Sequence, residues 1–508
     1  MPYQRLTFRP GINKDVSSYA GEGGYRESDK VRFRQGLPEK IGGWVKYSNI
    51  DSTGDIDGVP TAILRWRQNN GIFNTAIATN TSIYIEQGGT YYDITPTTDY
   101  AAGESVGTYG LGWGAGAWGD STWGTPRDSS NIALHPRTWS LALWGEDLIF
   151  CYRGGSVYTW DASLGAGTAA TLITQAPSPV DHLFVTSPDR HLVTLGASLT
   201  GSQNKMEVTW CSQEDFETWA PLATNTAGSQ VLSNGSEIIG GITSDGQNLI
   251  WTDVDMHSML FIGPPYTFGF QQAGTNCGLV GPNARVVFNN TTFWMGNGNF
   301  FIYQGGVSVL PCTLLSHVFE DINLLQRNKV FCGLNSEFNE ITWFYCSESS
   351  VTVDSYVTYN TTEKVWYPGT MDRTAWIDRG VYNHPLATNN AGQVYEHENG
   401  VDDDTSAMTS YIESSDFDIG EGDQLMLVSK VIPDFSQLTG TVDITFKSRR
   451  YSQSAQISGL AHTITPTTEK ISTRFRGRQL AVRIESNALG DDWRYGVPRI
   501  NLQPDGER

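Results

Sequence analysis

Short apolar runs broken by Gly- and Asn-rich turns recur along most of the chain, and few of them keep helical or strictly alternating spacing. The clearest unit is Thr292-Phe-Trp-Met-Gly-Asn-Gly-Asn-Phe-Phe-Ile-Tyr-Gln-Gly-Gly306. A second is Leu249-Ile-Trp-Thr252 leading into Met259-Leu-Phe-Ile-Gly-Pro264, and weaker copies begin at Ile83, Leu148 and Gly392. Apolar side chains on consecutive positions predict short strands covered on both faces. With the inner strand of each unit anchored at Ala78, Ile149, Val193, Trp251, Trp294, Trp343 and Ala387, the spacings are 71, 44, 58, 43, 49 and 44. A period near 45 residues with about four strands per unit predicts a β-propeller, in which stacked blades cover one another's faces. Seven units are countable, so seven blades are favoured, with six or eight as alternatives.

The pattern differs at both ends. In Asp29-Lys-Val-Arg-Phe-Arg34, Val31 and Phe33 fall on one strand face and Arg32 and Arg34 on the other. Gly42-Gly43 feeds a large anchor, Trp44. From Thr409 the strands lengthen, as in Val442-Asp-Ile-Thr-Phe446 and Leu480-Ala-Val-Arg-Ile484, which predicts a β-sandwich. The division expected is an N-terminal docking arm over 1–58, a propeller over 59–401 and a C-terminal β-sandwich over 402–508. An insertion over 103–126 holds Gly110-Leu-Gly-Trp-Gly-Ala-Gly-Ala-Trp-Gly119. It predicts a projecting Gly/Trp loop in which Trp113 and Trp118 pack on a neighbour or line a channel mouth. One helix is expected over 313–326, where Leu314, Leu315, Val318, Ile322 and Leu325 keep helical spacing.

Charge sharpens this division. The net charge is −20, yet residues 1–47 carry nine Lys/Arg against five Asp/Glu and residues 440–508 carry eleven against seven. The middle, 48–439, is left with 14 against 42, a net of −28. Such a body repels duplex DNA. The basic ends are expected to dock on acidic surfaces of the same chain or of a neighbour. Arg474, Arg476 and Arg478 alternate with Phe475 and Gly477, so three guanidinium groups share one strand face as a candidate subunit interface.

Candidate chemistry is sparse. Six cysteines lie far apart without a Cys-x-x-Cys pair, and pairing Leu334 with Ile341 sets Cys332 opposite Trp343 rather than Cys346. They read as buried, reduced thiols. Gly114-Ala-Gly-Ala-Trp-Gly119 matches the dinucleotide fingerprint in form but lacks the strand and helix that give it meaning. Asp402-Asp-Asp404 lacks the other ligands of a calcium loop and reads as a solvated linker. Glu214-Asp-Phe-Glu217 reads as an acidic turn rather than a catalytic pair. No nucleophile triad, His-Glu-x-x-His or Walker loop occurs. A non-enzymatic protein without cofactor or metal is expected. The opening residues show no secretory pattern and no run nears the ~18 apolar residues of a membrane span, so cytoplasmic synthesis without membrane insertion is expected.

Two stretches carry a resemblance. The first covers 6–47, with Leu-Thr-Phe-Arg-Pro-Gly at 6–11, Glu22-Gly-Gly-Tyr25 and Gly36-Leu-Pro-Glu-Lys-Ile-Gly-Gly-Trp44. The second holds Ser414-Ser-Asp-Phe-Asp418, Val431-Ile-Pro-Asp-Phe435, Arg474-Phe-Arg-Gly-Arg-Gln479 and Trp493-Arg-Tyr-Gly496. Together they resemble the tail nozzle, or packaged-DNA stabilisation, proteins of short-tailed bacteriophages. The resemblance implies a structural virion protein of the tail, a hexameric ring that extends the head-to-tail DNA channel, retains the packaged genome and passes it at ejection. The partners implied are further copies of the chain, the adaptor (connector) ring, tail fibre or spike and tail-tip proteins, and viral DNA sliding past without specific binding. The competing expectation is a glycan-binding or glycan-cleaving tail propeller, since the 16 Trp could stack on sugars. The interface residues expected are Arg32, Arg34, Trp44, Arg474, Arg476, Arg478, Trp113 and Trp118.

Overall fold

The computed structural model describes residues 3–47, 56–109, 133–244, 246–418, 422, 424–451 and 453–506. Seven four-stranded antiparallel sheets make the wheel. Blade 1 runs from Pro60–Arg67 to Thr90–Asp93, blade 2 from Trp139–Trp144 to Thr171–Leu172, and blade 3 from His182–Val185 to Gly228–Val231. Blade 4 runs from Ile238–Ser244 to Thr267–Gly274, blade 5 from Arg285–Phe288 to Val307–Val309, and blade 6 from Phe331–Asn335 to Val365–Thr370. Blade 7 has three strands in sequence, Ala375–Ile377, Leu386–Thr388 and Val394–His397, and takes its fourth, Trp44–Lys46, from the N-terminal arm. Val45 pairs with Glu396 there. The first strand of blade 7 lies beside the first strand of blade 1, so the ring is closed. The chain is an all-β propeller of seven blades with a β domain attached.

The repeat anchors Ala78, Ile149, Val193, Trp251, Trp294, Trp343 and Ala387 are all fully buried. They sit on the second strand of each blade, however, and not on the innermost one. The physical reason is that second strands are covered on both faces and both edges, whereas innermost strands border an axial cavity. Indoles also staple neighbouring blades: Trp139 Nε1 donates to Thr79 O (2.7 Å), Trp343 Nε1 to Ala284 O (3.1 Å) and Trp376 Nε1 to Leu334 O (2.8 Å).

The extended N-terminal arm is threaded through the rest of the molecule. Gln4–Arg5 edges a sheet with Arg499–Pro504, Met426–Ile432 and Ile471–Gly477. Tyr25–Asp29 edges a five-stranded sheet with Ser410–Ser414, Gln479–Ser486, Val442–Arg449 and Ile457–Ile464. Val31–Arg34 and Leu37–Lys40 form a third sheet with Asp492–Tyr495 and Phe435–Thr439. Both ends of the chain therefore build one terminal domain. Phe8, Tyr25, Phe33 and Tyr367 pack in succession as tilted ring pairs at 5.1, 5.7 and 5.9 Å, which carries a single apolar core from that domain into blade 6.

The helix expected over 313–326 is shorter, an α-turn at Leu315–Phe319 followed by a 3₁₀ segment at Leu324–Lys329. Leu314, Val318 and Ile322 are buried as their spacing requires. Between the two pieces Ile322 bridges Ser347 and Asn323 N donates to Cys346 O (2.9 Å), so pairing with blade 6 interrupts the helix. Cys332 stands opposite Trp343 in the hairpin, and all six thiols are free.

Candidate functional site

The arm's docking residues are engaged within the chain. Arg32 is buried between blades 6 and 7, with Nε 3.0 Å from Glu340 Oε1 and Nη1 donating to Glu398 Oε2 at 2.9 Å. Its guanidinium lies 3.7 Å from the Phe338 ring centre. Burial works against its charge, but Glu340 and Glu398 together outweigh burial and hold its pKa above the ordinary value. Burial in turn pushes the Glu340 carboxyl up, although Arg32 and the Tyr367 hydroxyl oppose this. Arg34, on the exposed side, pairs with Glu39 at 3.1 Å. The Trp44 indole is buried at the closing strand, donates to Asp403 and packs 5.1 Å from the His397 ring.

Asp402, Asp403 and Asp404 are not a solvated linker. Asp402 accepts from Gly490 N through both oxygens (3.0 and 3.0 Å), Asp403 takes the Trp44 indole, and Asp404 accepts from Lys46 N at 3.4 Å. The three carboxylates thus join the last blade, the closing strand and the terminal domain. The acidic turn behaves as expected of a turn. Asp215 accepts from Glu217 N (3.0 Å) and the Thr218 hydroxyl (2.7 Å), and these bonds hold its carboxyl below the ordinary range.

The three C-terminal arginines do not act alike. Arg474 is exposed, and no ion pair or hydrogen bond engages it among the described residues. Arg476 pairs with Asp505 at 2.8 Å, and Arg478 donates to Gly422 O at 3.0 Å from a half-buried position just past the strand. Trp113 and Trp118 lie outside the described residues. The stem of their insertion is visible as Thr108–Tyr109 paired with Ala133–Leu134. Gly107 exchanges two 2.8 Å hydrogen bonds with the buried side chain of Gln326, in the connection between blades 5 and 6. A Cβ on Gly107 would stand 2.7 Å from Leu325 O, so this crossing needs glycine.

One feature had no signal in the sequence. An axial cavity of about 350 Å³, open to solvent, is ringed by residues of the innermost strands of all seven blades. Glu237, just before blade 4, accepts from Arg153 of blade 2 (3.0 Å) and lies 3.7 Å from Arg327 before blade 6. The cavity is lined mostly by apolar side chains, with Arg285, His182, Asn283, Ser140 and Thr61 as its main polar groups. Among the described residues no cluster of His, Cys, Asp or Glu could hold a metal ion, and no helix is long and apolar enough to cross a membrane.

The fold and these surfaces define a β-propeller protein with an intramolecularly docked arm. No family model and no curated protein matches the chain. Similar solved structures include YCF48 bound to D1 peptide, at 8% identity over 70% of this chain and 97% of that one, with a TM-score of 0.37. The mitotic checkpoint complex gives 9% identity over 69% and 97% (TM-score 0.39). The N-terminal domain of Nup159 gives 10% over 73% and 99% (TM-score 0.36). The strand pairing of the chain itself, and not these likenesses, defines the propeller.

Proposed function

We propose that the chain is a structural, non-enzymatic virion protein that forms the tail nozzle of a short-tailed phage, as a homohexameric ring beneath the adaptor. The observation that carries this reading is the meeting of the chain's two ends. The two stretches that resemble nozzle proteins, far apart in sequence, meet in the terminal domain, where Tyr25–Asp29 and the Val31–Lys40 hairpin add to the edges of sheets built from the C-terminal strands. They therefore form one body beside an acidic propeller. Exposed Arg474 gives that body a basic edge suited to a neighbour's acidic surface.

In this reading the genome passes through the lumen of the ring. The axial cavity of a single propeller, at about 350 Å³, is far too small for duplex DNA. An acidic wall lets a polyanion slide, because few Lys/Arg contacts need breaking. The adaptor ring, tail fibre or spike and tail-tip proteins are the partners this reading assigns to the remaining surfaces.

Native mass measurement of the purified full chain, alone and with connector proteins, tests the reading. A hexamer, or a connector-bound ring, is expected. Arg474→Glu should shift the population towards smaller species, and it disturbs fewer internal contacts than changes at Arg476 or Arg478. A monomer that ignores connector proteins would overturn the proposal.

A further inference from the structure

The axial cavity holds a charge that the fold leaves uncompensated. Arg285 is the one Asp, Glu, Lys or Arg side chain lining it among the described residues. In a chain with 54 Asp and Glu against 34 Lys and Arg, a lone cation facing no carboxylate runs against the composition. The guanidinium is held by Gly241 O, to which Nε donates at 3.1 Å, and by His182, to whose Nε2 it donates from Nη2 at 2.8 Å. Both partners are neutral groups. His182 accepts at Nε2 and therefore carries its proton on Nδ1, which is itself buried without a hydrogen-bond partner. Thr61 Oγ1, on the same lining, is also unpartnered.

Removing a guanidinium from water without a counter-charge is costly, and burial pulls the Arg285 pKa down towards about 9, which still leaves it cationic at neutral pH. Arg285 is nevertheless only partly buried, because it borders open space in the cavity. That space, where apolar walls meet a few convergent polar groups, has the form of a small-molecule site.

We infer that the axial cavity is a binding site for one small oxyanion, a carboxylate or phosphate, seated on the Arg285 guanidinium with Asn283, Ser140 and Thr61 within its lining. Arg285 supplies the charge, and with Nε and Nη2 engaged by Gly241 O and His182, its Nη1 is left to donate to an oxygen of the ligand. The apolar part of the lining, including Leu64, Phe184 and Ile242, would accept a short hydrocarbon tail on a carboxylate.

Calorimetric titration of the full-length protein with acetate, hexanoate and inorganic phosphate tests this. Saturable binding of one equivalent of at least one of them is expected. Tighter binding of hexanoate than acetate would assign the apolar lining to a tail, and phosphate alone would assign a phosphate site. Arg285→Gln should weaken binding at least tenfold, whereas Arg474→Gln, on the surface, should leave it unchanged. Because Arg285→Gln could impair folding, a second reading uses the unaltered protein: bound anion should slow modification of Cys332, which lines the same cavity, by a small thiol reagent. No saturable binding by any of the three anions, or binding that survives Arg285→Gln, would overturn the inference.

Discussion

At the scale of single residues, the arm is held by charges that its own sequence does not reveal. The alternation set Val31 and Phe33 on one strand face and Arg32 and Arg34 on the other, and both apolar side chains are buried. It could not show that Arg32 is buried as well, because its carboxylate partners lie 308 and 366 residues away. With Arg32 removed, Glu340 and Glu398 would share a buried site without a cation. Arg32→Met should therefore cost about 3–5 kcal/mol, read as a lowered urea midpoint with little change in slope. The histidines make a second prediction. His182 and His397 accept through Nε2 from Arg285 (2.8 Å) and Arg373 (2.7 Å), and burial first, then these arginines, hold both pKa values well below 6.5. Burial also lowers His191, His257 and His317. The unfolded chain takes up protons below about pH 6.5 while the folded chain resists, so this stability is complete above that value and is lost as pH falls. The melting temperature should drop between about pH 7 and about pH 5.5, and His397→Gln should make the drop shallower. A profile that is flat or rises towards acid would contradict the assignment of neutral histidines.

At the scale of elements, the closing strand is where local and global structure meet. Trp44–Lys46 is short and has no neighbour in sequence to pair with, yet it completes blade 7 and leads, through residues 48–55, into blade 1. The blade period was legible because every second strand is an apolar run buried on both faces. Identifying the innermost strands was not, because facing the cavity leaves them half-buried, as in Arg285–Phe288. The role of Asp402, Asp403 and Asp404 was hidden for a related reason: their partners are backbone N–H groups and an indole from distant elements, and a run of carboxylates looks the same whether solvated or bonded. A truncation tests the element directly. Deleting residues 1–47 removes a strand or a hairpin from each sheet of the terminal domain and the fourth strand of blade 7. Hydrogen exchange should accelerate in 375–414 and across the terminal domain, while the second strands of blades 2–4 stay protected. Uniform loss of protection would mean that the wheel cannot stand without its clasp; unchanged protection in 375–397 would show that the strand contributes little to closure.

At the scale of the whole molecule, charge is distributed against the grain of the fold. Part of the charge of the basic ends holds the chain together, with Arg32 on Glu340 and Glu398, Arg34 on Glu39, and Arg476 on Asp505, while Arg5, Lys470, Arg474 and Arg499 stay exposed. What remains outside is dominated by the middle of the chain, with 42 Asp/Glu against 14 Lys/Arg. Six copies at −20 each would amount to −120. An assembly of that kind repels a duplex at every approach, and counterion release, which drives non-specific DNA binding, has few cations to work with. The prediction is a negative one with a sharp measure. Fluorescence anisotropy of a labelled duplex of about 20 base pairs should show no saturation below ~10⁻⁴ M protein even at about 50 mM salt, where electrostatic binding is strongest. Tight binding with a steep dependence on salt would mean that the exposed arginines and lysines of the terminal domain outweigh the acidic middle of the chain. It would also remove the sliding contact on which a DNA conduit depends.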